Sequence, residues 1–413
     1  KMSPALLSCA FLFLLFAGHS DAQDNQRSPW ENRIDQACSN GNTAMTWSLV
    51  TESAGWAGRS AMGVLSFEGR MWVMGGRAGA ADNYRLLNDV WASSDGTEWE
   101  TIVSSASAWS PRMRFGHVVF NQKLWILGGV TMVDGTETVT NSIYSSSNGE
   151  RWDEVRANGD SCTGLVCLDD SAAPNNMWAP RHSMVVLSFS GRMWVLSGVT
   201  SSAERVRASD ADFVQDVWSS SDGVDWTRVA FSPPWANRRA VVGTVYQLRM
   251  FVLAESRYYR YYYNVWGSGN GIDWTEPMEA CSVTGQPLGA ALVMQSGMVV
   301  VAGADSLARD LSVRFWVTQE IGQDFRGQFT LSNGRAGEGP REEARHVVFA
   351  GRLWQLGGAC ADCGLSTAPV DAFSSVYASD GIFATGIENA ATRRMASGLA
   401  WAAWLLLLAA VAR

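Results

Sequence analysis

One stretch of sequence recurs six times between about residues 44 and 383, and this internal repeat limits the possible folds more than any other feature. The most regular part of each unit is a short apolar run that ends on small residues. Its copies are GRMWVMGG (Gly69–Gly76), QKLWILGG (Gln122–Gly129), GRMWVLSG (Gly191–Gly198), LRMFVLAE (Leu248–Glu255), GMVVVAGA (Gly297–Ala304) and GRLWQLGG (Gly351–Gly358). A repeat of this kind indicates an array of similar supersecondary units, such as a solenoid or a propeller.

Each unit continues through a segment that ends on an aromatic residue, then a turn. These segments are NDVW (Asn88–Trp91), NSIY (Asn141–Tyr144), QDVW (Gln215–Trp218), YNVW (Tyr263–Trp266), RFW (Arg314–Trp316) and SSVY (Ser374–Tyr377). In the first four units an Asp-Gly or Asn-Gly pair and a tryptophan follow, as in SDGTEW (Ser94–Trp99). Such pairs favour type I′ hairpins, in which both central residues have positive φ. With an upstream strand such as MGVLSF (Met62–Phe67), each unit predicts a four-stranded antiparallel sheet.

The two ends of the repeat region complement each other. The sixth unit has a turn at Asp380-Gly381 but no tryptophan after it, and the fragment MTWSLV (Met45–Val50) stands alone before the first unit. We therefore expect the N-terminal strand to pair into the last sheet, which removes the open sheet edges. The predicted fold is all-β: a closed six-bladed β-propeller over residues 44–383, with four antiparallel strands per blade and tryptophans packed between blades.

The pattern GRMWVMGG, NDVW, SDGxxW resembles the repeats of kelch-type propellers, and the resemblance covers nearly all of residues 47–381. It implies the fold but leaves function open, because kelch propellers include protein-binding modules, sugar-acid epimerases and a copper oxidase. The copper site of such an oxidase needs histidines and a cysteine-modified tyrosine. Here His117 and His346 share one position of the first strand, which indicates repeat structure, so we expect neither metal nor cofactor. The SDGxxW segment also resembles the Asp-box of sialidases, but its Asp and Gly are adjacent, and we interpret it as a hairpin turn.

Both ends of the chain carry targeting signals. Ala5–Ala17 is a short apolar run followed by small residues, which predicts a signal peptide over residues 1–22, cleaved after Ala22. Near the other end, small residues begin at Asn389 within a linker over residues 384–398, and a hydrophobic tail over residues 399–413 follows. This order predicts attachment of a GPI lipid anchor at Asn389.

A single membrane-spanning helix is the alternative interpretation of the tail. The fourteen apolar residues of Leu399–Ala412 are short for a bilayer, which needs about 20. Arg393 and Arg394 would also lie on the outer side, against the positive-inside bias. In both cases we expect the protein at the extracellular face of the plasma membrane, and a chain with neither anchor would be secreted.

Net charge and cysteine content indicate which classes of partner and which cellular compartment to expect. A net charge of −8 and a pI near 5.2 argue against a general nucleic-acid binder, which would carry a basic surface. Cys9 leaves with the signal peptide, and six cysteines remain, an even number that favours disulfides over a zinc site. They are Cys38, Cys281, Cys162, Cys167, Cys360 and Cys363. Cys162 and Cys167 are close enough for a local pair, and the other pairings stay open.

One face of such a propeller carries the segments that precede the first strand and those that join the second strand to the third. Here these are the long and variable connections, the longest being Arg156–Pro180, Val199–Val214 and Ala359–Phe373. Function is usually carried by loops on a rigid scaffold. This loop face is therefore the candidate binding surface.

An arginine recurs on this side, thirteen residues before the aromatic position of the second strand. The five copies are Arg59, Arg112, Arg181, Arg238 and Arg341. A ring of guanidinium groups at the channel mouth would bind carboxylate or sulfate groups. The alternative is structural, because an arginine at a repeat position can satisfy backbone carbonyls or pair with a repeat-position acid such as Asp89 or Asp216.

A tyrosine-rich segment, RYYRYYYNVW (Arg257–Trp266), lies at the same face, between the second and third strands of the fourth unit. Alternate side chains of a strand point to opposite sides, so part of this segment packs between blades. The rest forms a candidate ligand platform, because tyrosine is enriched at binding hot spots. Its candidate residues are Arg257, Tyr258, Tyr259 and Arg260. Core packing of these tyrosines is the alternative.

These features favour a surface binding module that recognises a protein or an acidic glycan through the loop face. The alternative is a sugar-active enzyme, epimerase- or glycosidase-like, at the arginine-lined mouth. Its acid–base site would be drawn from Glu255, Arg238, Arg341 and Tyr258 or Tyr259. A third interpretation, a structural coat component, predicts self-association. The sequence leaves the ligand and the oligomeric state open.

Overall fold

The computed structural model describes most of the repeat region. The described residues are 47–80, 83–104, 109–159, 177–202, 212–230, 232–235, 241–255, 263–278, 288–294, 297–302, 314–318, 328–330, 344–359 and 373–379. They form twenty-five β-strands and contain no α-helix. The predicted signal peptide, linker and hydrophobic tail lie outside these residues.

The strands form six antiparallel sheets, numbered in chain order. Sheet 1 contains β2 (Gly63–Phe67), β3 (Arg70–Ala80), β4 (Asn83–Ser93) and β5 (Glu100–Val103). Sheet 2 contains β6 (Arg112–Met113), β7 (Gly116–Phe120), β8 (Lys123–Val133), β9 (Thr136–Ser146) and β10 (Asp153–Arg156). Sheet 3 contains β11 (Val185–Phe189), β12 (Arg192–Val199), β13 (Phe213–Ser220) and β14 (Thr227–Ala230).

The remaining sheets follow the same order. Sheet 4 contains β15 (Val241–Tyr246), β16 (Arg249–Glu255), β17 (Tyr263–Ser268) and β18 (Thr275–Met278). Sheet 5 contains β19 (Leu288–Met294), β20 (Gly297–Ala302), β21 (Arg314–Thr318) and β22 (Gln328–Thr330). Sheet 6 contains β23 (Arg345–Phe349), β24 (Arg352–Leu356), β25 (Val376–Ser379) and β1 (Trp47–Thr51), in that order across the sheet.

The sheets are arranged as a β-propeller, so the predicted all-β propeller class is confirmed. First strands of neighbouring sheets lie side by side, which places them at the centre and the last strand of each sheet outermost. Five of the described sheets have four strands, as predicted. In sheet 2 the innermost position is shared by the short β6 and by β7, which both pair with β8.

Type I′ hairpins join the first strand to the second strand, not the third to the fourth as predicted. Both central residues have positive φ at Glu68-Gly69 (48° and 70°) and at Ser190-Gly191 (50° and 69°). In the third-to-fourth turn of sheet 1, Gly96 has a φ of 80°, but Asp95 is not among the residues with positive φ. The prediction of type I′ geometry at the Asp-Gly and Asn-Gly pairs is therefore wrong.

Side-chain acceptors explain the geometry of this third-to-fourth turn. In sheet 1, Ser93 Oγ accepts a hydrogen bond from Gly96 N at 2.8 Å. Asp95 Oδ1 accepts from Thr97 N at 2.7 Å and from Glu98 N at 3.0 Å, and these donors lower the pKa of Asp95 below its usual value. Because the carboxylate already caps the turn, Asp95 needs no left-handed backbone. The same bonds recur around Ser146, Ser220 and Ser268 in sheets 2, 3 and 4.

The hydrophobic core lies between neighbouring sheets, as predicted for the tryptophans. Trp72 of β3 is 3% exposed and packs on the turn glycine of the next sheet, Gly149. A Cβ added to Gly149 would lie 2.7 Å from Cη2 of Trp72, closer than real Cβ atoms approach a ring. Trp125 makes the same contact with Gly223. The turn glycines are thus required both by positive φ and by the neighbouring indole.

Candidate functional site

The repeat arginine of sheet 1 is buried in an ion pair within its own sheet. Arg59 is 0% exposed, and its Nη1 and Nη2 bind the two carboxylate oxygens of Asp89 at 2.6 and 2.7 Å. Nη1 also donates to Gly75 O at 3.0 Å, and Nε donates to Ala57 O at 3.1 Å. The guanidinium therefore fastens the segment before β2 to the second and third strands.

Sheet 3 repeats this arrangement. Arg181 binds both carboxylate oxygens of Asp216, and donates to Ser197 O and to Ala179 O at 3.0 Å each. Burial alone would raise the pKa of Asp216, but Arg181 and the indole N–H of Trp218 outweigh it and lower that pKa. The structural interpretation of the repeat arginines is confirmed at Arg59 and Arg181, while ligand binding by them stays a prediction.

Sheet 2 departs from this pattern. Arg112 is 1% exposed, but Ser142 stands where the other two sheets have an aspartate. The guanidinium donates to Gly128 O at 2.9 Å and to the hydroxyls of Ser110 and Ser142 at 3.0 and 3.1 Å. All three repeat arginines that the structure describes are at most 1% exposed and bind groups of their own sheets.

The other predicted site residues lie outside the described residues. They are Arg238, Arg341, Arg257, Tyr258, Tyr259 and Arg260 for ligand binding, the six cysteines Cys38, Cys162, Cys167, Cys281, Cys360 and Cys363, and Asn389 for the lipid anchor. Of the proposed enzyme residues, Glu255 ends strand β16, and the rest belong to the same undescribed set. Their roles stay predictions.

Sequence reasoning missed the tryptophan that stands three residues before each of the first four repeat arginines. These residues are Trp56, Trp109, Trp178 and Trp235, and none is more than 2% exposed. Each meets the turn tryptophan of its own sheet edge to face, with ring centroids between 4.5 and 6.1 Å apart. The W-x-x-R spacing, visible in the sequence, is the signal that identifies these pairs as structural.

The second and third strands of sheets 1 and 2 continue beyond their sheets as two-stranded hairpins. Each of the four strands has eleven residues, against eight or fewer in sheets 3 and 4. The two hairpins pack on each other, since Tyr84 Oη donates to Glu137 and Leu86 packs with Val139 around buried Val130. The loop face therefore carries ordered β-structure over these two sheets.

An open cleft of about 450 Å³ lies beside the sheet 1 hairpin. It is lined by residues 57–58, 78–79 and 83–85. Residues 57–58 and 78–79 are alanines and glycines, and residues 83–85 are the exposed Asn83, the half-buried Tyr84 and the exposed Arg85. The Arg77 guanidinium lies over the Tyr84 ring, with Cζ 5.6 Å from the ring centroid, and the Tyr84 hydroxyl donates to Glu137.

This lining suits a ligand that has both an acidic group and a flat apolar surface. A guanidinium binds carboxylate or sulfate through paired hydrogen bonds, and an aromatic ring offers a stacking face. Sequence reasoning missed the cleft because the connection at residues 81–82 is short and carries no motif. No sequence signal identifies the cleft, because residues 57–58 and 83–85 of its lining are distant in sequence.

Two histidines lie in first strands near the propeller centre. His117 of β7 and His346 of β23 occupy equivalent positions, in agreement with the repeat. Burial, followed by the charge of Arg345, lowers the pKa of His117 to about 4 and that of His346 to about 3, so both are neutral at pH 7. Arg345 Nε donates to Met62 O at 2.8 Å, and neither ring nitrogen of His346 has a partner in the described chain.

Two further searches are restricted to the described part of the chain. There, no three His, Cys, Asp or Glu side chains cluster so that they could hold a metal ion. No helix among those residues is long and apolar enough to cross a membrane.

Comparison of the sequence with family models and curated sequences finds no relative. No protein-family model matches the chain, and no curated protein sequence matches it at a significant level. The function is therefore argued from the site.

Proposed function

We propose that this protein is a cell-surface binding module that recognises a protein or an acidic glycan through its loop face. The observation that carries the proposal is the open cleft in which Asn83 and Arg85 flank Tyr84. A concave site with a few convergent polar groups is the default location for ligand binding. In a chain with a net charge of −8, an exposed arginine at a cleft also gives an acidic ligand a defined place to dock.

The proposed scaffold is a kelch-like propeller in which the six sheets are six blades of one closed ring. Three observations support closure: β1 pairs with β25, β2 contacts β23 as well as β7, and Arg59 N donates to Phe373 O at 3.1 Å. The turn glycine Gly96 of sheet 1 also packs on Trp354 of sheet 6. A closed ring has no exposed sheet edges and holds the loop face as a rigid surface.

The proposed location is the extracellular face of the plasma membrane. The support comes from the sequence, namely the predicted signal peptide over residues 1–22, the predicted lipid attachment site at Asn389 and the even number of cysteines that would remain. A phospholipase specific for phosphatidylinositol should release the protein from intact cells. Retention after this treatment would favour the spanning-helix alternative.

Binding is tested with the purified protein on an array of acidic and neutral glycans, and by proximity labelling of protein neighbours on cells. We expect salt-sensitive binding to acidic glycans, or capture of one protein partner, because the cleft contact is electrostatic. Arg85→Ala should abolish either kind of binding. Arg151→Ala removes an exposed arginine from the turn end of sheet 2 and is the matched control, so it should leave binding unchanged.

Comparison of the two variants shows whether binding takes place at the cleft. Equal loss in Arg85→Ala and Arg151→Ala would reduce the signal to non-specific charge attraction and would overturn the cleft as the site. Self-association without any other ligand would favour a coat component.

A sugar-active enzyme is the second candidate, favoured by the histidines of the inner strands, of which His117 is half-buried. His117 is neutral at pH 7 and lies within electrostatic range of Arg345, a pairing of base and cation that could act on an acidic sugar. The test is turnover of acidic sugars by wild type and by His117→Asn. Turnover that the variant loses, with unchanged glycan binding, would favour the enzyme.

A further inference from the structure

The cleft beside the sheet 1 hairpin can be compared with the same place in sheets 2 and 3, because the repeat aligns their residues. The residue before the repeat arginine is Gly58 in sheet 1, where it lines the cleft. At this position sheet 2 has Pro111 and sheet 3 has Pro180. Sheet 1 therefore has the smallest possible residue where its two neighbours have a ring.

The second strand departs from the repeat in the same direction. The position of Ala78, which also lines the cleft, is occupied by Thr131 in sheet 2 and by Thr200 in sheet 3. Thr131 is 8% exposed, and its hydroxyl donates to Pro111 O at 3.0 Å. Ala78 has no hydroxyl, so the equivalent carbonyl of sheet 1, Gly58 O, receives no hydrogen bond of this kind. Two residues that close this place in sheet 2 are thus missing in sheet 1.

A cation lies directly across the hairpin from the missing hydroxyl. Arg85 of β4 is the cross-strand partner of Ala78, so their side chains are on the same face of the hairpin. In sheet 2 the equivalent pair is Thr131 with Thr138. Arg85 is exposed, and within the described part of the chain its side chain has no ion pair or hydrogen bond. Asn83, two residues earlier and also exposed, is on that face as well.

We propose that the cleft binds a sugar acid, meaning a pyranose that carries a carboxylate beside free hydroxyls, as hexuronic acids and sialic acids do. Arg85 binds the carboxylate through paired hydrogen bonds. One sugar hydroxyl donates to Gly58 O, in the place that the Thr131 hydroxyl holds in sheet 2. The Asn83 amide, which both donates and accepts, binds a further hydroxyl. This inference rests on the proposed function, and it selects the acidic glycan over the protein as the ligand.

The volume and the chemistry of the cleft both fit such a ligand. Its volume of about 450 Å³ is within the range of about 300–1,000 Å³ that is usual for small-ligand sites. Residues 57–58 and 78–79 have no polar side-chain atoms, so their hydrogen bonds to a ligand come from the backbone. In sheet 2 the group that bonds this backbone is itself an aliphatic hydroxyl. A sugar acid presents that group and an anion on one small ring.

The test is binding of small ligands to the purified full chain, measured by saturation-transfer NMR. The two sugar acids are methyl glucuronoside and methyl sialoside, and their comparison identifies which class the cleft prefers. Methyl glucoside lacks the carboxylate, and cyclohexanecarboxylate lacks the hydroxyls. We expect each of these two controls to bind at least about tenfold more weakly than the preferred sugar acid, because each loses one set of hydrogen bonds. Equal binding of either control would overturn the proposal.

A matched variant closes the cleft with residues that the repeat already uses. Gly58→Pro with Ala78→Thr copies sheets 2 and 3, so the unfolding midpoint should stay close to that of wild type. The new threonine hydroxyl should bond the carbonyl of residue 58, and sugar-acid binding should fall at least about tenfold. Ala78→Thr alone gives the same test if the double variant does not fold. Sugar-acid binding at wild-type strength in a folded variant would overturn the proposal.

The reverse change in sheet 2 is the control for the variant. Thr131→Ala removes the hydroxyl from the equivalent place, but Thr138 stands there instead of an arginine. It should therefore leave sugar-acid binding at the wild-type level. A loss of binding in Thr131→Ala as large as that in Ala78→Thr would show that the cleft is not the site of the sugar acid.

Failure of this inference can be distinguished from failure of the proposed function. If no sugar acid binds, but proximity labelling captures a protein that Arg85→Ala loses, the cleft is a binding site and the sugar-acid inference is wrong. If Arg85→Ala changes neither sugar-acid binding nor protein capture, the inference and the proposed site are both wrong.

Discussion

The two ends of the strands follow different rules. At the turn end, sheets 1 to 4 repeat one set of hydrogen bonds around Ser93, Ser146, Ser220 and Ser268. At the other end, sheets 1 and 2 extend into packed hairpins beside an open cleft, and sheets 3 and 4 have shorter strands. The difference teaches that repeated residues in this chain hold sheets together, whereas departures from the repeat identify candidate sites.

Removal of a repeated charge partner should break this architecture most severely. Asp216→Ala leaves Arg181 buried without its anion, and we expect a loss of about 3–5 kcal/mol in the free energy of unfolding. The measurement is chemical denaturation. The double variant Arg181→Met with Asp216→Leu, which removes both charges, should recover most of that loss. An Asp216→Ala protein as stable as wild type would show that the ion pair contributes little.

A turn glycine gives the next largest effect and also tests the proposed closure. A Cβ on Gly96 would lie 2.8 Å from Cη2 of Trp354, across the junction of sheets 1 and 6. Gly96→Ala should therefore cost about 2–4 kcal/mol in unfolding free energy, from positive φ and from the clash. Gly69→Ala has a similar φ of 70° with nothing within 4 Å and should lose only the backbone part. Equal losses would argue against the contact between the two sheets.

A histidine of the inner strands should make the free energy of unfolding depend on pH, with an effect of intermediate size. The pKa of His346 is lowered by burial to about 3 in the folded protein, from about 6.5 in an unfolded chain. Between these values the unfolded state binds more protons, so stability falls as the pH falls below 6.5, by about 2–3 kcal/mol at pH 4.5. Unfolding midpoints from pH 7.5 to 4.5 measure this slope. His346→Gln should remove its own part of the slope and leave a similar part from His117, whose pKa is lowered to about 4. An unchanged slope would assign it to other groups.

The smallest expected change in stability is at Leu248, in the turn that joins the first and second strands of sheet 4. Leu248 occupies a type I′ position with a φ of 59° and is 87% exposed, where sheets 1, 3 and 6 have glycine. Leu248→Gly should stabilise the protein by about 0.5–1 kcal/mol, because a left-handed backbone disfavours side chains. The reverse change Gly191→Leu should cost a similar amount in thermal unfolding. Loss of stability in both variants would mean that Leu248 packs on a surface of its own.

The repeat predicted most of the fold because each strand pattern occurs several times. The sheet-forming runs and the inter-sheet tryptophans follow from spacing, and the pairing of Arg59 with Asp89 was one of two interpretations that the spacing allowed. The turn type at Asp95 could not be predicted, because an Asp-Gly pair is compatible with both a type I′ turn and a side-chain cap. Only the hydrogen bonds distinguish the two. The cleft could not be predicted, since it arises where residues 57–58 meet the hairpin of β3 and β4, which are distant in sequence.

The edge-to-face tryptophan pairs have an optical consequence. Two indoles fixed at right angles and about 6 Å apart couple their electronic transitions, as in Trp56–Trp99 (5.9 Å, 85°) and Trp178–Trp226 (6.1 Å, 90°). Such coupling gives an exciton couplet in circular dichroism that vanishes when the partners separate. Each of the first four sheets thus carries its own pair of coupled indoles. If one indole is replaced at a time, circular dichroism during unfolding would show the order in which these sheets unfold.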